Sequence, residues 1–97
     1  MEDVSTALYF SAASIWEVEI KRAKGKLEAP ADLLETTRQR GFAELAVLSP
    51  HAIIAARLPP HHGDPFDRML IAQAQRENLT IVTNDRRIAA YDVPVLW

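Results

Sequence analysis

The sequence predicts an α/β domain of the three-layer α/β/α type, in which a mostly parallel sheet is covered by helices on both faces. Three observations predict it. Short apolar, strand-like runs alternate with helical segments along the chain, the order that parallel strands joined by crossover helices produce. The segment Pro65 to Glu77 carries Phe66, Met69, Leu70, Ile71, Ala72 and Ala74, so its middle is apolar on nearly every side, as in a helix packed between neighbours. Glu17, Asp67 and Asp85 each fall at a helix start or just past a strand, which assigns all three to one edge of such a sheet.

The elements follow in order. Leu8-Tyr9-Phe10 reads as a short buried strand. Ser14 offers a helix-capping hydroxyl with Glu17 three residues on, the capping-box pattern, and the helix runs to about Lys24 before Gly25 stops it. Trp16, Ile20, Ala23 and Leu27 form its apolar stripe, with Trp16 expected in the core, while Glu17, Lys21 and Lys24 line a polar face. Pro30 suits the first turn of a second, short helix, Leu33 and Leu34 point inward, and Gly41 supplies a left-handed stop. Leu45 to Leu48 is a second strand, after which Ser49-Pro50 caps a helix that ends near Leu58-Pro59-Pro60. A polar loop, His61 to Gly63, leads into the Pro65 to Glu77 helix. Asn78 ends that helix; Leu79 to Thr83 is a strand, Asp85 to Tyr91 a short helix, and Val93 to Leu96 a last strand. No repeat or interior linker divides the chain, and residues 1–97 are expected to form a single domain.

Composition narrows the chemistry. With 48% apolar and 25% charged residues the chain belongs with ordinary globular domains, not disordered ones. The lack of cysteine excludes disulfides, thiolate zinc sites and cysteine nucleophiles and favours the cytoplasm, so any metal must be held by oxygen or imidazole. No apolar run approaches the roughly 18 residues of a membrane helix, and Met1-Glu2-Asp3 is acidic where a secretory signal is basic. A net charge of −2 draws in no nucleic acid globally, so a nucleic-acid role would rest on local patches: Lys21, Arg22, Lys24 and Lys26, or Arg86-Arg87. Zinc-type histidine spacing, a nucleophile elbow and a glycine-rich phosphate loop are all missing.

The three acids have two readings. Carboxylates gathered at one edge repel unless a cation compensates, and oxygen donors suit magnesium or manganese. The same residues also fit helix caps and an exposed Glu17–Lys21 pair, and Asp64 followed by Pro65 reads first as a cap. Of the histidines, His51 reads as a surface or capping residue, and His61-His62 as a loop pair able to meet phosphate.

Three blocks of the chain carry a resemblance. Ser11-Ala12-Ala13-Ser14-Ile15-Trp16-Glu17, with Lys21-Arg22 and Gly25-Lys26-Leu27, resembles the second conserved block of PIN-domain toxins of the VapC type. Leu58-Pro59-Pro60-His61-His62 followed by Asp64-Pro65-Phe66-Asp67-Arg68-Met69-Leu70-Ile71-Ala72-Gln73-Ala74 resembles the third, and Ile81-Val82-Thr83-Asn84-Asp85 with Tyr91 and Val93 to Trp97 the fourth. The resemblance implies a Mg2+- or Mn2+-dependent endoribonuclease acting on RNA phosphodiesters, the toxin half of a toxin–antitoxin pair, with a cognate antitoxin and a homodimer as partners. It assigns Glu17, Asp67 and Asp85 to three of four acidic positions as catalytic metal ligands, with Asp64 orienting the site, while Arg68, Arg86, Lys21 and Arg22 read equally as contacts to RNA phosphates or as solvated helix faces. The family's first, central strand, which ends in the fourth acid, and its first helix have no counterpart here; Asp3 precedes the Leu8 strand and belongs to the opposite edge. The competing reading is therefore a catalytically inactive remnant that acts as an antitoxin-binding or dimerising module.

Overall fold

The computed structural model describes residues 8–28, 32–83 and 85–96 and divides into two compact units, Met1–Ala46 and Val47–Trp97. Pro30, Asp3, Asn84 and Trp97 lie outside the described residues.

In the first unit strand β1, Tyr9–Ser11, passes directly into helix α1, Ala12–Ala23. The cap is Ser11, not Ser14: its backbone is extended (φ −86°, ψ 140°) and its Oγ accepts the Ala13 N–H at 3.0 Å. The helix therefore begins three residues earlier than expected, and Glu17 sits inside it instead of in its first turn. Two serines three residues apart compete for the cap, and the strand's last residue wins because only there is the chain still extended. Gly25 ends the helix region with φ 69°, as expected.

Trp16 is 64% exposed, against the core position expected of it. Ala13 is the buried residue of α1, and Trp16 stands about 60° round the helix from it, at the rim of the covered face. Helical spacing marks a stripe but not its centre, which Ala13 sets. Helix α2, Leu33–Gln39, follows, and Gly41 (φ 89°) turns the chain into strand β2, Ala43–Leu45, two residues ahead of the expected run. The early start comes from pairing: the Ala43 N–H donates to the Leu8 carbonyl at 2.9 Å, and β1 and β2 run parallel with Tyr9 opposite Ala43 and Ser11 opposite Leu45.

The second unit is built on two helices, α3, Ser49–Arg57, and α4, Pro65–Glu77. The N-cap of α3 is Leu48, whose N–H donates to His51 Nδ1 at 2.9 Å. His51 is thus a capping residue, as one of its two readings had it, but it is buried at 1% exposure, and its Nε2 meets Glu77 Oε2 of α4 at 2.9 Å. Helix α4 has the expected bounds, with Asp64 before it and Asn78 in the left-handed conformation (φ 60°) after it. Ile71, Ala72, Gln73 and Ala74 are buried. Ile71 and Ala74 join Ile88, Tyr91 and Val93 in the core, with Leu58, Leu79 and Ile81 packed against them. Full burial of Ile71 alone contributes about 2–3 kcal/mol.

Strand β3, Ile81–Val82, helix α5, Arg86–Ala89, and strand β4, Val95–Leu96, complete the unit, each shorter than its apolar run. β3 and β4 are parallel, Ile81 opposite Val95. The alternation and the parallel sense are as expected; among the described residues β1 pairs with β2 in the first unit and β3 with β4 in the second. No helix among the described residues is long and apolar enough to cross a membrane.

Candidate metal centre

The centre is built at two helix starts of the second unit. Pro65 takes the first helical position of α4, where its missing N–H costs nothing, and Asp64 Oδ1 accepts the N–H groups of Phe66 (2.8 Å) and Asp67 (3.1 Å). This cap sets Asp67 at the third helical position, where the positive end of the helix dipole favours a carboxylate. Asp85 is placed the same way beyond β3. The Thr83 hydroxyl accepts its N–H at 3.1 Å, and Asp85 Oδ1 accepts the Arg87 N–H at 2.9 Å to start α5. Asp64 and Asp85 are both caps, so the cap reading describes real bonds without accounting for where the outer carboxylate oxygens of Asp67 and Asp85 converge.

They converge on His62, whose side chain is only 3% exposed. Its Nε2 lies 2.8 Å from Asp67 Oδ2 and 3.5 Å from Asp85 Oδ2, and the three side chains offer ligand atoms all within 4.8 Å of one another. The other ring nitrogen, Nδ1, accepts the Asp64 N–H at 3.1 Å. Despite its short distance to Asp67, buried Nε2 makes no directed hydrogen bond. The contact is close but poorly aligned, and we read it as proximity and charge instead of as a bond.

The loop that carries His62 is held from two sides. The Tyr91 hydroxyl accepts the His62 N–H at 2.9 Å and donates to the Pro59 carbonyl. The Arg68 guanidinium donates through one nitrogen to the carbonyls of Ala55 (2.9 Å) and Leu58 (2.8 Å), and through the other to Pro59 (3.0 Å), His62 (3.2 Å) and the Tyr91 oxygen (3.3 Å). Arg68 was expected to face RNA phosphate; its fork is instead spent on the end of α3 and the loop after it, where orphan carbonyls need donors. Stacking adds to this, since the His61 ring meets Tyr91 edge-on at 5.0 Å between centroids.

Arg87 supplies the counter-charge. Its Nε and Nη2 donate to Asp85 Oδ1 (3.2 Å) and Oδ2 (3.0 Å). This side-chain hydrogen bond, followed by the Arg87 backbone N–H, holds the Asp85 carboxyl below the usual aspartate range. In return Asp85 raises Arg87 further, with smaller contributions from Asp67 and Asp64.

Of the other expected site residues, Glu17, Lys21 and Arg22 belong to the first unit. Glu17 pairs with Lys21 at 3.1 Å, and Arg22 pairs with Glu19 at 2.9 Å, so these two basic residues are engaged along α1. Arg86 is exposed at the first position of α5. The structure thus brings Asp67 and Asp85 together and adds His62, which the sequence marked only as a loop residue. A local signal for it existed: His62 stands two residues before the cap, within reach of the Asp64 N–H.

His62, Asp67 and Asp85, gathered at the start of a helix in an α/β framework, form a group of three side chains that could hold a metal ion. The chain belongs to the PIN domain family, whose model matches residues 1–94. PIN domains are generally nucleases, and PIN nucleases usually use divalent metals. No significant match is found among curated proteins or among solved structures.

Proposed function

We propose that the protein is a metal-dependent endoribonuclease of the VapC type, the toxin half of a toxin–antitoxin pair working in the cytoplasm as a single PIN domain. The observation that carries the nuclease reading is the convergence of Asp67 and Asp85, from two different helix starts, on one buried imidazole. The family match spans both units, which supports treating them as one domain. The toxin role, an antitoxin partner and a homodimer rest on the resemblance of the three sequence blocks.

The residues fit Mg2+ or Mn2+. Both ions prefer oxygen donors and bind through one or two carboxylates plus substrate phosphate oxygens. Asp67 and Asp85 would be the ligands, with Glu17 as the further carboxylate that the resemblance assigns. The bound cation would supply a water nucleophile at neutral pH and neutralise charge on the phosphodiester. Asp64 fixes the backbone from which Asp67 projects, and Arg86 and Arg87 present positive charge beside the acids for the RNA backbone.

The test is Mn2+ calorimetry joined to an RNA-cleavage assay. Asp67→Asn and Asp85→Asn should each abolish binding and cleavage while leaving circular dichroism largely unchanged, and Glu17→Gln should weaken binding. Retained binding in both aspartate variants would sink the assignment. Binding without cleavage by the unaltered chain would favour the inactive, partner-binding module.

A further inference from the structure

We propose that His62 is a positioning residue of this centre, turning an N–H and not a ligating lone pair toward Asp67 and Asp85. The inference rests on the cation reading above and deepens it. A buried imidazole beside two carboxylates suggests a third metal ligand, but its other nitrogen argues against that. A histidine that ligates through Nε2 carries its proton on Nδ1 and donates it to a carboxylate, carbonyl or water. Here Nδ1 faces a donor, the Asp64 N–H, at 3.1 Å. Two donors cannot face each other at that distance, so in the neutral ring Nδ1 holds the lone pair and Nε2 the proton.

The surroundings leave the ring little freedom to change this. Its side chain is 3% exposed, and its backbone N–H is fixed by the Tyr91 hydroxyl at 2.9 Å while Arg68 holds its carbonyl. The Asp64 amide that sets the tautomer belongs to the residue whose carboxylate caps α4, so the helix start and the ring are specified together. The Nε2 proton then lies between Asp67 Oδ2 at 2.8 Å and Asp85 Oδ2 at 3.5 Å, which accounts for a buried nitrogen that satisfies neither acceptor with a directed bond. Shared in this way, it holds the two like charges close enough together for one cation.

Three measurements test this. In the metal-free chain, two-bond 15N–1H correlations of histidine should show His62 protonated at Nε2. In the Mn2+-loaded chain, electron spin-echo modulation should show no directly coordinated imidazole nitrogen. His62→Ala should weaken Mn2+ binding by about 10- to 100-fold, the usual effect of losing a residue that orients a metal ligand, and His62→Gln, which keeps an N–H donor, should recover most of the loss. Protonation at Nδ1, a coordinated nitrogen, or unchanged affinity in His62→Ala would each overturn the proposal. The first two measurements need no variant, so they decide even if the substitutions unfold the chain. Failure of the unaltered chain to bind Mn2+ would bring down the cation reading itself, and this inference with it. Unchanged Mn2+ affinity in His62→Ala, with the unaltered chain binding, would overturn this inference alone.

Discussion

Replacing Arg68 separates a structural cation from an RNA-binding one. Its guanidinium reaches three loop acceptors at 3.0–3.3 Å and two carbonyls at the end of α3, Ala55 at 2.9 Å and Leu58 at 2.8 Å. The Pro59 contact is exposed and the two longest contacts are weak, so most of the effect lies in the Ala55 and Leu58 bonds. A hydrogen bond from a charged donor contributes about 1.5 kcal/mol or somewhat more, which puts Arg68→Ala near 3 kcal/mol of destabilisation. That is a large share of the roughly 5–15 kcal/mol that holds a domain of this size. Arg68→Lys keeps the charge but loses the planar fork and can serve about one carbonyl, so about half the loss is expected. Urea unfolding followed by far-UV circular dichroism reads both values, and fluorescence anisotropy with a short RNA reads binding under conditions where the variant remains folded. Arg68→Ala with unchanged stability and weakened RNA binding would refute the reasoning. Lower stability with RNA affinity unchanged in the folded fraction is the expected result.

Two further outcomes are expected. His51→Ala removes a buried ring and leaves the Leu48 N–H and Glu77 without a partner, which should cost about 2–4 kcal/mol in urea unfolding; a loss under about 1 kcal/mol would show that water replaces the ring. The Asp85 carboxyl titrates below its ordinary value of about 4, so its contribution to stability is complete at neutral pH and is lost as pH falls below about 4 and through the lowered value. Because the Arg87 side chain is the first cause, Arg87→Gln should move the Asp85 titration upward in a carboxyl 13C experiment, and an unmoved titration would exclude that cause.

Features with a local cause were legible in the sequence. Helix α4 has its expected bounds because Pro65, Asp64 and Asn78 each act within a few residues of the end they mark. The placement of Asp67 in a first helical turn and of Asp85 just past a strand was legible for the same reason, since position relative to a helix start is a local property. Features decided at a distance were not legible. Ser11 and Ser14 are equivalent caps until strand pairing extends the chain at Ser11. Trp16 fits an apolar stripe whose centre only packing reveals. Arg68 is a surface cation by composition, and only the folded chain shows the carbonyls it meets. His62 acquires its role from the Asp64 amide, the Tyr91 hydroxyl and two acids, a combination that no spacing in a single segment displays.

The Tyr91 hydroxyl has a consequence for the order of assembly. It ties down Pro59 and the His62 N–H from 32 and 29 residues further along the chain. Closing loops of that length precedes any reward from the contact they make, so the contact belongs to the slow, non-local part of folding. During synthesis the helix that carries Asp67 can form, with Arg68 holding the loop from one side only, because the tyrosine has not yet emerged. The loop that carries His62 therefore reaches its full set of bonds only once residue 91 is in place, and early termination just before it would yield the helices of the second unit without the tyrosine's two bonds.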